Sequence, residues 1–204
     1  MNLLLIRHGE SEGNRTERLQ GIQDFPLSEE GKKQAALLGQ ALKTEPLDHM
    51  YASDLSRAFE TAQFVAEHQL CDPITRPDCR EVALGPLEGR TREEIIREYP
   101  GVLGPNLLTS GLEGTETIEA ITKRCRTLYD DLITKHEGEN IAVVAHGGFI
   151  AIFLMYLMHG EDWSNHHRPF RKTNTGVTRI EFKEGKPYFH YVNKTTHLEA
   201  YSKS

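Results

Sequence analysis

The chain has 204 residues, 38% of them hydrophobic and 26% charged, with a formal net charge of −6. That balance fits one α/β domain over 1–204 with room for a sizeable core, and its acidic excess speaks against a nucleic-acid partner, which calls for a basic surplus. Cys71, Cys79 and Cys125 are odd in number and lack zinc-type spacing, so they read as reduced thiols of a cytoplasmic protein; no basic segment precedes Leu3, and the longest apolar stretch, 149–158, is too short for a membrane span.

The run Leu3-Leu4-Leu5-Ile6 reads as a buried strand, and Arg7-His8-Gly9 follows it directly. Ser28 caps a helix to about Lys43 that carries Ala35, Leu38 and Leu42 on one face. A second strand at 49–52 leads into a helix at about 55–68. Thr91 and Glu94 form a capping box for a short helix that ends before Pro100. The segment 101–114, rich in Gly, Pro, Asn and Ser, reads as a lid loop. Ile118, Ile121, Cys125, Leu128 and Leu132 mark an amphipathic helix stopping near Gly138. A strand at 141–145 precedes 148–158, which is apolar nearly all round and reads as a buried helix. Strands at 178–182 and 188–192 flank a Glu184-Gly185 hairpin turn. The alternation predicts an α/β three-layer sandwich, a mostly parallel central sheet with helices on both faces.

Four blocks carry chemistry. They are Arg7-His8-Gly9-Glu10-Ser11 with Asn14 beyond it, Ser53-Asp54-Leu55-Ser56-Arg57-Ala58 with Thr61-Ala62, Arg80-Glu81 followed by Gly85 and Glu88-Gly89, and the strand-to-turn block Val143-Val144-Ala145-His146-Gly147-Gly148. Ligands of open α/β sheets bind at the carboxyl ends of strands, where the first and last blocks place their histidines. A phosphomonoester carries about two negative charges near neutral pH, and Arg7 and Arg57 can clamp its oxygens with forked, charge-assisted hydrogen bonds. His8 offers a neutral nitrogen as a nucleophile without a metal, and His146 a hydrogen bond to the same oxygens. Glu81 can protonate the leaving alkoxide. His166-His167 reads as a solvated loop pair rather than a metal site, and no metal or cofactor is expected.

Taken together the blocks resemble the histidine phosphatase superfamily, with its phosphoglycerate mutase-like fold, and within it the small bacterial broad-specificity phosphatases, through 19–27 as well. The resemblance implies a phosphohistidine at His8, acid and later base catalysis at Glu81, and a phosphate pocket lined by Arg7, Asn14, Gln20, Gly21, Arg57, Glu81, His146 and Gly147. The family often has an aromatic residue where Gly13 stands and a tryptophan where Leu87 stands, so both positions are expected to alter the pocket's shape.

The expected activity is hydrolysis of a small phosphorylated metabolite, with no nucleic acid or membrane involved. The alternatives are a phosphoglycerate mutase and a phosphoprotein phosphatase of the same superfamily. Mutases of the family carry an adjacent arginine pair in the insert after the acid, to hold a carboxylate. Here 89–114 has Arg90, Arg92 and Arg97 but no such pair, which favours the phosphatase.

Overall fold

The structure, a computed structural model, describes residues 1–102 and 104–199. In chain order its elements are β1 (Asn2–Arg7), α1 (Glu12–Arg15), α2 (Glu29–Leu42), β2 (His49–Ala52), α3 (Ser56–Ala66), β3 (Pro73–Thr75), α4 (Arg92–Glu98), α5 (Ile118–Lys135), β4 (Asn140–Ala145), α6 (Gly147–His159), β5 (Val177–Lys183), β6 (Lys186–Lys194) and α7 (Thr196–Glu199). The strands form one sheet in the order β3-β2-β4-β1-β5-β6. β1 to β4 run parallel, and β5 is antiparallel to both β1 and β6.

The apolar runs of β1 and β4 are continuous because both faces of the sheet are covered. Side chains alternate between faces along a strand. Leu3 and Leu5 therefore join Ile141, Val143 and Ala145 in a core shared with α5 and α6, whereas Leu4 and Ile6 join Ala142 and Val144 in a second core with α2 and α3. The three-layer arrangement follows from those two cores.

Most predicted elements stand where the sequence puts them. Ser28 caps α2 through Gly31 N, Thr91 and Glu94 close a capping box on α4, and Glu184 and Gly185 adopt φ of 50° and 72° in the β5–β6 turn. β3 and α1 have no forerunner in the sequence reading. They are three and four residues long, too short for a periodic signal. Ile118 departs from its expected apolar face: it opens α5 and is exposed, and Thr122 is buried along with the rest of that face. The segment 101–114 is not a plain loop, since a 3-10 helix occupies Gly104–Thr109; its residue 103, like 200–204 of the chain, lies outside the described residues. Among the described residues no helix is long and apolar enough to cross a membrane.

Candidate active site

Register brings the two histidines together. β1 and β4 pair as parallel neighbours with Ile6 opposite Val144 and Arg7 opposite Ala145, so the next residue of each strand is a histidine. The ring centroids of His8 and His146 lie 5.1 Å apart. His8 N donates to Ala145 O at 3.0 Å, and the neighbouring strand end is pinned alike by Ser53 N to Val144 O at 2.9 Å. That second junction starts α3, whose first turn presents Arg57. Thr61 explains its place in the same block: its Oγ1 accepts from Gly9 N at 3.0 Å and donates to Arg57 O at 2.7 Å, tying the turn after His8 to the arginine's helix.

His8 is buried, with Nδ1 2.6 Å from Gly9 O. A carbonyl only accepts, so Nδ1 carries the proton and Nε2 presents a lone pair. Burial, then the charges of Arg7 and Arg57, hold the His8 imidazole well below its ordinary range. His146 is pushed down in the same way, by burial first and then by Arg57, His8 and Arg7. Both rings are therefore neutral near pH 7.

Arg57 is buried, donating from Nη1 to Gln23 O at 2.8 Å and from Nη2 to Gly21 O at 2.9 Å. Arg7 donates from Nη1 to Lys172 O. Yet the buried Nε of each arginine, and both ring nitrogens of His146, have no partner among the described residues. Buried donors are normally satisfied, so the two arginine Nε groups and the one N–H of the neutral His146 ring, close to His8, mark a place built for an acceptor-rich anion. Burial lowers Arg57 to about 10, which leaves it cationic at neutral pH.

Glu81 reaches the site from a loop held by two ion pairs. Arg80 makes a two-pronged contact with Asp54, and Arg124 donates to Glu116 and to Arg80 O at 2.7 Å. The Glu81 carboxylate accepts from Gly148 N at 2.9 Å, Phe149 N at 2.7 Å and Val82 N at 2.9 Å. It thus caps the amino end of α6, where Gly148 leaves it room: a Cβ there would stand 2.6 Å from Oε1.

Arg7, His8, Asn14, Gln20, Gly21, Arg57, Glu81 and Gly147 all line one cavity of about 620 Å³. His146 does not line it; the ring is fully buried beside His8. Gln20 is buried and takes a 2.7 Å hydrogen bond from Ser11 Oγ. Gly21 sits at φ 50°, its carbonyl on Arg57.

Neither of the two positions expected to alter the pocket's shape lines the cavity itself. Leu87 is fully buried in the α5–α6 core and does not touch the cavity. Gly13 is filled from the other side, since a Cβ there would stand 2.5 Å from Gln20 Cγ, so a larger residue at 13 is incompatible with this placement of Gln20. His166 and His167 are exposed as expected, but they also line the cavity, with His166 stacked on His159 at 3.8 Å.

The sequence reading did not place Arg18, Arg92, Arg168 and Lys172 in the site, although all four line the cavity. It also missed Asn174, whose Nδ2 donates to His8 O at 3.1 Å and to Asn14 Oδ1 at 3.2 Å. Arg168, Lys172 and Asn174 stand in an irregular polar stretch, which has no period from which to select residues.

A family model for the histidine phosphatase superfamily (branch 1) matches residues 3–195. The chain belongs to the histidine phosphatase superfamily. Phosphoserine phosphatase 1 of Hydrogenobacter thermophilus is 32% identical over 97% of this chain and 94% of its own length. The solved structure of YhfR from Bacillus stearothermophilus is 30% identical, with a TM-score of 0.86 over 97% of this chain and 99% of that one. Phosphoserine phosphatase of Entamoeba histolytica is 31% identical with a TM-score of 0.78 over 97% and 98%, and has been solved with phosphoserine (as a mutant) and with 3-phosphoglyceric acid. Histidine phosphatases work through a phosphohistidine and without a metal ion, and this one has the fold and the enzyme class of those phosphatases.

Proposed function

We propose that the chain hydrolyses small phosphomonoesters, with His8 as the residue phosphorylated and Glu81 as the proton donor. The observation that carries this reading is the set of unpartnered buried nitrogens on Arg7, Arg57 and His146, together with His8, whose Nδ1–H bond to Gly9 O leaves Nε2 with a lone pair. A phosphoryl group bound there meets charge on its peripheral oxygens and a nucleophile from behind. His8 Nε2 forms the bond to phosphorus as the ester bond breaks. The leaving oxygen takes a proton from Glu81, and water, giving its proton back to Glu81, then releases phosphate from His8. Glu81 Oε1 already accepts two backbone N–H groups and Oε2 only one, so Oε2 has the lone pair that carries the proton.

The cavity's cations favour an ester with a second anionic group. Arg18, Arg92, Arg168 and Lys172 come from three separate parts of the chain to line one cavity, and about 620 Å³ suits a small metabolite. The bound phosphoserine and 3-phosphoglyceric acid of the Entamoeba relative carry such a group, a carboxylate. These cations also remove the sequence argument against a mutase, which rested on the missing arginine pair in 89–114. The hydrolytic reading draws instead on the named phosphatases among the relatives.

The test uses phosphoserine, 3-phosphoglycerate and a neutral alkyl phosphate, with EDTA throughout and with 2,3-bisphosphoglycerate added in one arm. Free phosphate from the carboxylated esters, and acid-labile label on wild type but not on His8→Ala, is the expected result. Transfer to a second phosphoglycerate without phosphate release would establish the mutase, and full turnover by His8→Ala would end the phosphohistidine assignment.

A further inference from the structure

Three metal-ligating side chains meet at the opposite end of the sheet. His49 opens β2, Glu139 stands one residue before β4, and His136 caps the carboxyl end of α5. One ligand atom from each lies within 4.8 Å of the other two. Glu139 Oε2 is 3.3 Å from His49 Nε2 and 2.6 Å from His136 Nδ1, and the two rings are 4.7 Å apart. We propose that His49, His136 and Glu139 form a binding site for a divalent transition-metal ion of the zinc type, remote from the phosphate pocket.

The dimensions fit. Zinc–nitrogen and zinc–oxygen bonds of about 2.0–2.1 Å set tetrahedral ligand atoms roughly 3.4 Å apart. The His49–Glu139 separation already has that value. The His136–Glu139 contact is a direct hydrogen bond, so the metal replaces its shared proton and the two atoms part by under 1 Å. Two imidazoles and a carboxylate are a donor set that suits zinc.

The outer contacts are those of a ligating histidine. With metal on Nδ1, His136 Nε2 carries the proton and donates it to Tyr51 Oη, which is 2.9 Å away. A second partner of this kind fixes both the tautomer and the ring orientation of a metal ligand. Tyr51 is held in turn by β2 pairing and by the Arg76 guanidinium over its ring at 5.4 Å.

Backbone structure fixes the other two ligands. His49 pairs with Ile141 across β2 and β4, and Glu139 N donates to His136 O at 3.2 Å. The His136 side chain is 5% exposed, those of His49 and Glu139 40% and 37%, so an ion has an entry path and a fourth position open to water. The site joins the end of α5 to β2 and β4 at their amino ends. Its expected role is to hold the fold rather than to take part in phosphoryl transfer.

The experiment titrates ZnCl₂, with MgCl₂ as control, into the whole purified chain, metal-stripped and free of phosphate. His8→Ala is run in parallel, because the His8–His146 pair is the competing nitrogen site. Calorimetry gives stoichiometry and affinity, thermal unfolding gives the stabilisation, and Co(II) substitution gives a visible spectrum of tetrahedral type. Wild type and His8→Ala should each bind zinc at this site, and excess zinc at 100 times Kd should raise Tm by roughly 5–10 °C. His49→Ala and Glu139→Gln replace half-exposed ligands without opening the core. Each should weaken zinc binding at least about tenfold and lose the Tm rise, with zinc-free turnover of phosphate esters unchanged. Zinc binding that survives in both variants, that disappears in His8→Ala, or that wild type lacks at 100-fold excess over protein would overturn the proposal.

Discussion

At the residue scale, Glu81 serves two ends that a substitution can separate. Its carboxylate caps α6 through Gly148 and Phe149, and in the proposed reaction it protonates the leaving group. Glu81→Gln keeps one oxygen for the pair of donors at Oε1 but turns an amide N–H₂ towards Gly148 N. The lost cap should cost about 1 kcal/mol of stability, read from a urea midpoint. The lost proton should slow an alkyl phosphate by about 10²-fold or more, because an alkoxide is a poor leaving group, while the burst with nitrophenyl phosphate changes much less. Equal loss on both esters would make Glu81 a positioning residue. Glu88 is not placed to act as a substitute acid: it does not line the cavity, and its Oε1 is taken by Ile22 N and Leu84 N at 3.1 and 2.9 Å.

At the element scale, the amino end of α6 is where fold and chemistry meet. The helix starts directly after His146, and residues 147–155 are all buried, so its position is set by the core on every side. Two glycines at its start keep side chains away from Arg7 and Glu81. A Cβ at Gly148 would stand 2.6 Å from Glu81 Oε1, and one at Gly147 would stand 3.2 Å from Arg7 Nε. Gly148→Ala should therefore displace the Glu81 carboxylate rather than the helix. We expect kcat on alkyl phosphates to fall by about 10²-fold, with the phosphoenzyme still forming on an aryl ester. Alkyl turnover within a few-fold of wild type would show that Glu81 has slack that the structure does not suggest. The sequence showed α6 as apolar all round, but it could not show that its first N–H groups are satisfied by a side chain from 81.

At the scale of the whole molecule, gathering histidines and arginines into a buried cluster ties stability to pH. His8 and His146 are held well below 6.5 in the fold, and burial brings His197 to about 4. The unfolded chain takes up protons on these residues as pH drops below 6.5, whereas the folded chain refuses them until much lower pH. Unfolding thus binds protons in that window, and folded stability falls as pH falls from 6.5. The slope is about 1.4 kcal/mol per pH unit for each histidine so displaced. Urea unfolding should show a clearly lower free energy at pH 5.5 than at pH 7.5. In the folded state the His8 ring resonances should not titrate until well below pH 6.5. Equal stability at the two pH values, or titration of His8 at 6.5 or above, would contradict this electrostatic picture.

The sequence by itself determined the sheet and its two cores, and it picked out the residues proposed to react. Runs such as Leu3-Leu4-Leu5-Ile6 and Val143-Val144-Ala145 leave no polar face and so demand cover on both sides. Arg7, His8, Arg57, Glu81, His146 and their glycines were legible because they sit at element junctions, where local signals are strong. Only the tertiary structure decided what depends on register and on irregular chain. It set His8 beside His146 through the β1–β4 pairing, and it brought Arg18, Arg92, Arg168 and Lys172 to the lining of one cavity. It filled the space at Gly13 with Gln20, put Leu87 in the core, and joined His49 to His136 and Glu139. The physical reason is the same in each case. Periodicity and capping act over a few residues and are written along the chain, whereas contacts between distant segments exist only once the sheet has fixed their relative height.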